Sequence, residues 1–155
     1  MLRFMVDIES ADGTAIRLGG PDADGVLSAD VTDVEVLLDT HDDQVTEKAS
    51  GMLARVTVKG AIAKDDNPEL LKVFAWAKDF DEDTTYRKVK ITVYSDDKGK
   101  VFRTYEFEQM FVRDYEESYV VTQKSDDNKG NVKETRAFAL YMTQKQNKLD
   151  KVKTY

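Results

Sequence analysis

Apolar and polar residues alternate with a period of two along most of this chain, and a period of two places every second side chain on one face of a strand. Phe4, Val6 and Ile8 alternate with Met5 and Asp7, and Ile16 and Leu18 continue after the turn Ala11-Asp12-Gly13-Thr14. Gly19-Gly20-Pro21-Asp22 then breaks the pattern. Val31 and Val34-Val36-Leu38 form the next strand, with a phase slip that predicts either a bulge or a strand in two pieces. Met52–Val58 follows. Val89, Ile91 and Val93 open the second half and lead to a hairpin turn at Ser95–Lys100. Val101, Tyr105, Phe107 and Phe111 are expected on one face, with Val112–Thr122 continuing after a bend. A second turn at Ser125–Gly130 leads to a last long strand, Val132–Thr143.

One segment has a different period. Leu70, Val73, Phe74 and Ala77 recur at helical spacing, with Leu71 and Trp76 nearby. Asn67 is a good N-cap and Pro68 suits the first helical position, while Asp66 and Glu69 offer an alternative capping box. The spacing predicts one helix over residues 67–78, flanking the sheet and burying Phe74 and Trp76 against it. The fold class expected is mainly β: a small barrel of packed antiparallel sheets with that one helix. No repeat, linker or low-complexity block divides residues 1–155, so a single domain is expected. A chain of this length buries roughly 68–70% of its unfolded surface and needs no metal or disulfide to fold.

Function classes narrow quickly. With no cysteine there is no thiolate catalysis, zinc–sulfur site or disulfide framework. The net charge of −7 is concentrated in residues 1–60, which hold 12 acidic and 5 basic residues, while the C-terminal stretch 145–155 is basic. A chain so charged is a poor ligand for nucleic acid, whose affinity comes from clustered positive charge. No stretch reaches the about 18 apolar residues of a membrane helix, and Met1–Asp7 turns acidic too soon for a signal peptide. A cytoplasmic protein without membrane insertion is expected, reaching the outside only as part of an assembled particle.

Candidate chemistry is thin. Asp79-Phe80-Asp81-Glu82-Asp83 opens like a calcium loop, which makes Asp79, Asp81 and Asp83 a weak metal candidate. Thr84 and Lys90 stand where such a loop needs glycine and a bidentate glutamate, so a solvated helix exit is the plainer reading. His41, the only histidine, has no second histidine or cysteine to complete a site. There is no Gly-x-Ser-x-Gly elbow and no phosphate-binding Gly-x-x-x-x-Gly-Lys. No catalytic residue and no cofactor are expected. Two features remain. Thr40–Gly51 is a long polar interval without a period, and Ala137-Phe138-Ala139-Leu140-Tyr141-Met142 is apolar on both faces. Burying both faces of that strand takes the helix, a second sheet, or another subunit.

From Ala54 onward the chain resembles the Hcp tube-protein family of type VI secretion systems, which shares its fold with phage tail tube proteins. The matching pieces come in order: Ala54–Val58, the helix around Leu70–Trp76, Lys90–Tyr94, the turn Asp96–Lys100, Tyr105–Glu117 and a long final strand. The Asp12–Asp30 region departs from the family's pattern. The resemblance implies a bacterial structural protein whose barrels close into hexameric rings and stack into the inner tube of a contractile injection system or phage-tail-like particle. Its partners would be copies of itself, with sheath or cargo proteins around or inside. The loop matching Thr40–Gly51 bridges rings in that family, which makes Asp42, Asp43, Gln44, Val45, Thr46 and Glu47 the ring-stacking candidates. Ala137, Ala139 and Tyr141 are the subunit-interface candidates. The alternative is a monomeric β-barrel binding module for a small molecule, peptide or calcium, for which the aromatic run Tyr105–Val112 would line a groove.

Overall fold

The structure, a computed structural model, describes residues 1–20, 29–40, 52–62, 68–96, 98–123, 132–145 and 152–155. It is mainly β, as the alternation predicts. In chain order the elements are β1 (Arg3–Glu9), β2 (Ala15–Gly19), β3 (Ala29–Thr40), β4 (Met52–Ile62), α1 (Pro68–Ala77), β5 (Arg87–Tyr94), β6 (Val101–Gln123), β7 (Val132–Gln144) and β8 (Lys153–Thr154). All strands join one antiparallel sheet in the order β2-β1-β5-β6-β7-β4-β3, with β8 added to β6. The sheet curls until its two ends meet. At the end of β2, Gly19 has φ +69°, and a Cβ there would collide with the Phe4 carbonyl oxygen and press on the Val31 side chain of β3. Only glycine takes that backbone form without strain while leaving room for β3.

The inward faces build one core. Val6 and Ile8, Ile16 and Leu18, Val56 and Val58, Val89 and Ile91, Phe107 and Met110, and Leu140 and Met142 are all essentially without solvent contact. The phase slip in β3 is a bulge between Val31 and Asp33, one of the two forms expected. β6 behaves differently from its prediction. It runs unbroken for 23 residues and absorbs its bends as irregularities. One lies at Gln109, whose φ is +56°, where three β6 steps (Phe107 to Met110) oppose two on β5 (Val89 to Arg87). The extra residue moves Met110 onto the core face. Phe111, expected there, turns to the other face and meets the Tyr86 ring edge-on at 5.9 Å between centroids. Val101 is also exposed rather than in the core.

Helix α1 buries Leu70, Val73 and Trp76, a row at successive spacings of three. Trp76 is fully buried, as predicted, and its indole N–H donates to the Thr85 carbonyl at 2.7 Å. Phe74 is not: it sits about 100° round from Val73 and stays 48% exposed, its ring edge-on to Tyr115 of β6. The helix touches β2 and β6, two strands separated in the sheet by β1 and β5, so it bridges the curl. Its first turn also caps the outer edge of β2. The Glu69 carboxylate accepts the Arg17 backbone N–H at 2.8 Å, and Lys72 Nζ donates to the Ala15 carbonyl at 3.4 Å.

Removing the indole leaves a cavity at the joint of helix and sheet and frees the Thr85 carbonyl. Trp76→Ala is expected to cost about 3–5 kcal/mol, whereas Leu71→Ala on the exposed side of the same helix should stay within about 0.5 kcal/mol. Urea unfolding followed by circular dichroism measures both.

Candidate assembly surfaces

The largest departure from a closed curl is the outer half of the β6–β7 hairpin. β5 leaves β6 at Met110, and β4 leaves β7 at Ala137. The two strands go on pairing with each other from Ser118↔Ala137 to Gln123↔Val132. Beyond the last β4 and β5 partners they form a two-stranded ribbon, with no third strand beside it among the described residues. Glu116–Gln123 and Val132–Arg136 are exposed throughout. Strand parity separates the faces. The continuation of the core face carries Glu117, Tyr119 and Val121 on β6, opposite Phe138, Arg136 and Glu134 on β7. Tyr119 is 61% and Val121 70% exposed, and Val120 and Val132 are exposed as well.

The root of this arm is braced by one carboxylate. Glu117 accepts the Tyr115 hydroxyl on one oxygen at 2.7 Å and the Tyr119 hydroxyl on the other at 3.1 Å. Burial, reinforced by the hydrogen bond to Glu117, pushes the Tyr115 phenol well above its ordinary range. The bond to Glu117 also raises Tyr119. Both phenols therefore stay protonated as donors at any physiological pH.

Ala137, Ala139 and Tyr141 lie on the face of β7 turned away from the core. In register they sit between Ala61, Lys59 and Thr57 of β4 and Ser118, Glu116 and Asp114 of β6. Ala139 is buried and the other two half-buried, and the Arg113 guanidinium lies over the Tyr141 ring at 5.6 Å. On this face of β7 the two alanines thus lie between longer cross-strand neighbours, and the Tyr141 ring is partly covered by Arg113. The ring-stacking candidates Asp42–Glu47, and His41, lie outside the described residues. On the edge strand leading to them, Leu37 and Leu38 point to opposite faces and are both about half exposed. Of the basic C-terminal stretch, Lys145 lies over the Tyr86 ring at 4.8 Å and Lys153 stands in β8.

A second electrostatic feature crosses the outer face of the sheet. Arg17, Asp7, Lys90, Glu106 and Lys153 are successive cross-strand partners on β2, β1, β5, β6 and β8, alternating in sign. Arg17 Nε meets Asp7 Oδ1 at 2.7 Å, and Lys88 reaches Glu106 and Glu108 at 3.5 and 3.8 Å. Opposite charges directly across strands support this register, which like charges would oppose.

The metal candidates have other partners. Asp79 Oδ1 accepts the Asp81 N–H, and Asp81 Oδ1 accepts the Asp83 N–H, each at 2.9 Å. Asp79 Oδ2 accepts the Thr84 hydroxyl at 2.7 Å and faces Arg87 at 3.9 Å. The Arg87 guanidinium in turn lies over the Trp76 ring at 5.2 Å. The acidic run is therefore a chain of turn-capping bonds that fixes the exit of α1. Among the described residues, no three His, Asp or Glu are grouped to hold a metal ion, and no helix is long and apolar enough to cross a membrane.

The sequence matches no protein-family model and no curated protein. Its fold has a counterpart. A chain in the cryo-EM structure of the anti-feeding prophage baseplate, 6-fold symmetrised, aligns with a TM-score of 0.51 at 9% identity, covering 99% of this chain and 92% of that one. A chain in the cryo-EM structure of the anti-feeding prophage cap aligns more loosely, with a TM-score of 0.41 at 12% identity over 97% and 87%. The first comparison gives the class of fold alone: a β-rich fold shared with a chain of the anti-feeding prophage baseplate.

The hydroxyl of Thr84, and then the backbone N–H of Asp81, hold the Asp79 carboxyl below its ordinary value of 3.8; burial works against them and Arg87 with them. Its contribution to stability is complete above the unfolded-state value and is lost as the pH falls through the lower folded value. Asp79→Asn is therefore expected to lower the urea midpoint at about pH 6, with the gap to the parent protein closing as the pH falls well below the ordinary carboxylate value of 3.8. A gap of constant size across that range would contradict the assignment.

Proposed function

We propose that this protein is a structural subunit of a phage-tail-like contractile particle, and that its copies associate through the β6–β7 arm into rings that stack as an inner tube. The observation that carries the reading is the arm. A lone two-stranded ribbon is marginal in water, and unpaired strand edges invite pairing with another chain. Fully burying a side chain such as Val121 or Tyr119 contributes about 1.5–3 kcal/mol. An interface that repeats by rotation closes into a ring. The full-length fold likeness to a baseplate chain supports the same reading. On it, residues 1–155 act as one domain, six copies make a ring, Asp42–Glu47 meet the next ring, and sheath and cargo are the further partners. Assembly takes place in the cytoplasm, before any export of the particle. The role is architectural, not catalytic. The binding-module alternative has less support, because Trp76, Phe107, Leu140 and Met142 fill the inside of the curl with side chains.

Light scattering and sedimentation across protein and salt concentrations test this. The expected mass is a multiple of the 17.6 kDa chain, with rings in electron micrographs. Val121→Asp should weaken association at least about tenfold, a change of about 1.4 kcal/mol, with unchanged circular dichroism. Deleting Asp42–Glu47 should abolish stacking, which is polar and salt-sensitive, and leave single rings. A protein that stays monomeric at high concentration and low salt overturns the reading.

A further inference from the structure

β8 has only two residues, yet its position is informative. β7 pairs along β6 as far as Met110↔Gln144, and the Lys145 N–H still reaches the Gln109 carbonyl at 2.9 Å. β8 then resumes pairing on β6 at Glu106↔Lys153 and Tyr105↔Thr154, again antiparallel. From Gln109 to Glu106 β6 advances three residues, while the chain opposite advances eight, from Lys145 to Lys153. Eight residues span up to about 26–29 Å when extended, and the step along β6 needs about 10 Å. The connection is far longer than its place in a single copy requires.

The bonds made by β8 are specific. Thr104 and Tyr155 exchange backbone hydrogen bonds at 2.6 and 2.9 Å. The Tyr155 hydroxyl donates to Glu106 at 3.0 Å, a bond that holds the Glu106 carboxyl below its ordinary range. Lys153 completes the alternating charge row opposite Glu106. Val152 packs against the core. These interactions join the four residues Val152–Tyr155 to one stretch of β6 edge and to the core beside it. They form equally well whichever copy supplies the strand.

We propose that the β6 edge from Thr104 to Phe107 is a strand-acceptor site whose occupant between copies is the C-terminal strand of a second copy, exchanged for the chain's own. Exchange of an identical element is a low-cost route to association, since every bond that one copy gives up is remade in its neighbour. Neighbours held close raise the effective concentration of the foreign strand and shift the balance toward exchange. The site needs no ring: two copies suffice, so it stands or falls separately from the arm.

The absence of cysteine makes the test clean. Lys90 and Lys153 flank Glu106 on β5 and β8 in register, about 10 Å apart at two strand spacings. A tagged Lys90→Cys protein is mixed with an untagged Lys153→Cys protein and treated with a short bismaleimide. The expected result is a covalent heterodimer that is lost when Thr154 and Tyr155 are deleted from the second protein. The double variant should also cross-link within one chain, showing that β8 occupies the site. Internal cross-linking without any heterodimer overturns the proposal, and so does a heterodimer whose yield is unaffected by the deletion. Val121→Asp in both proteins should lower the heterodimer yield no further than association itself weakens, and the heterodimer that remains should still be lost when Thr154 and Tyr155 are deleted, which separates exchange from association through the arm.

Discussion

An antiparallel sheet that is not closed by hydrogen bonds leaves rows of unpaired amides at its edges, and how each row is covered governs the rest of this molecule. At β2 the cover is a helix used sideways. Glu69 and Lys72 take one backbone donor and one backbone acceptor from Arg17 and Ala15, while Leu70, Val73 and Trp76 anchor the helix in the core. The anchoring has its own support, since Arg87 covers the indole ring and Asp79 and Thr84 hold Arg87 in place. The acidic run after the helix is thus tied through three side chains to the covering of a strand edge on the far side of the sheet. At β6 the chain covers a second stretch of edge with its own C-terminus. Among the described residues, no such cover lies along the arm.

Much of this is legible in the order of residues alone, and the exceptions have definite causes. Alternation marks every long strand, because burying one face of a sheet imposes a period of two regardless of topology. The slip between Val31 and Val34 is visible because a bulge shifts that phase. The bulge at Gln109 is not, since glutamine has no preference for positive φ, and so the pattern points to Phe111 where the core takes Met110. Phe74 and Trp76 both fit a broad apolar stripe, and only the direction of approach to the sheet separates them. β8 is too short to show any period. The exposure of the arm is hidden for another reason: Tyr119-Val120-Val121 reads as a strand whether or not a neighbour covers it. The visible signal is three consecutive apolar residues just after Glu116-Glu117-Ser118, beyond the reach of any predicted third strand.

Charge shows a similar division between what composition records and what position does. The net −7 describes solubility in general terms. The row from Arg17 through Asp7, Lys90 and Glu106 to Lys153 uses those charges to favour one register across five strands drawn from both ends and the middle of the sequence. A one-residue slip of any of these strands would turn its charged residue toward the apolar interior, which penalises misregistered sheets more heavily than hydrophobic alternation alone.

β6 is one continuous strand from the covered edge at Thr104, past Phe107 and Met110 in the core, to Gln123 on the arm, a run of about 63 Å if straight at about 3.3 Å per residue. It is in effect a lever with its fulcrum inside the protein. A load at Val121 has no loop in which to dissipate. It passes along paired backbone to the two irregular points at Arg113 and Gln109, where an extra residue lets the strand yield, and then to the seam where Tyr155 lies on Thr104. Force on the described end of the arm is thereby passed along β6 to the pairing of Thr104 with Tyr155.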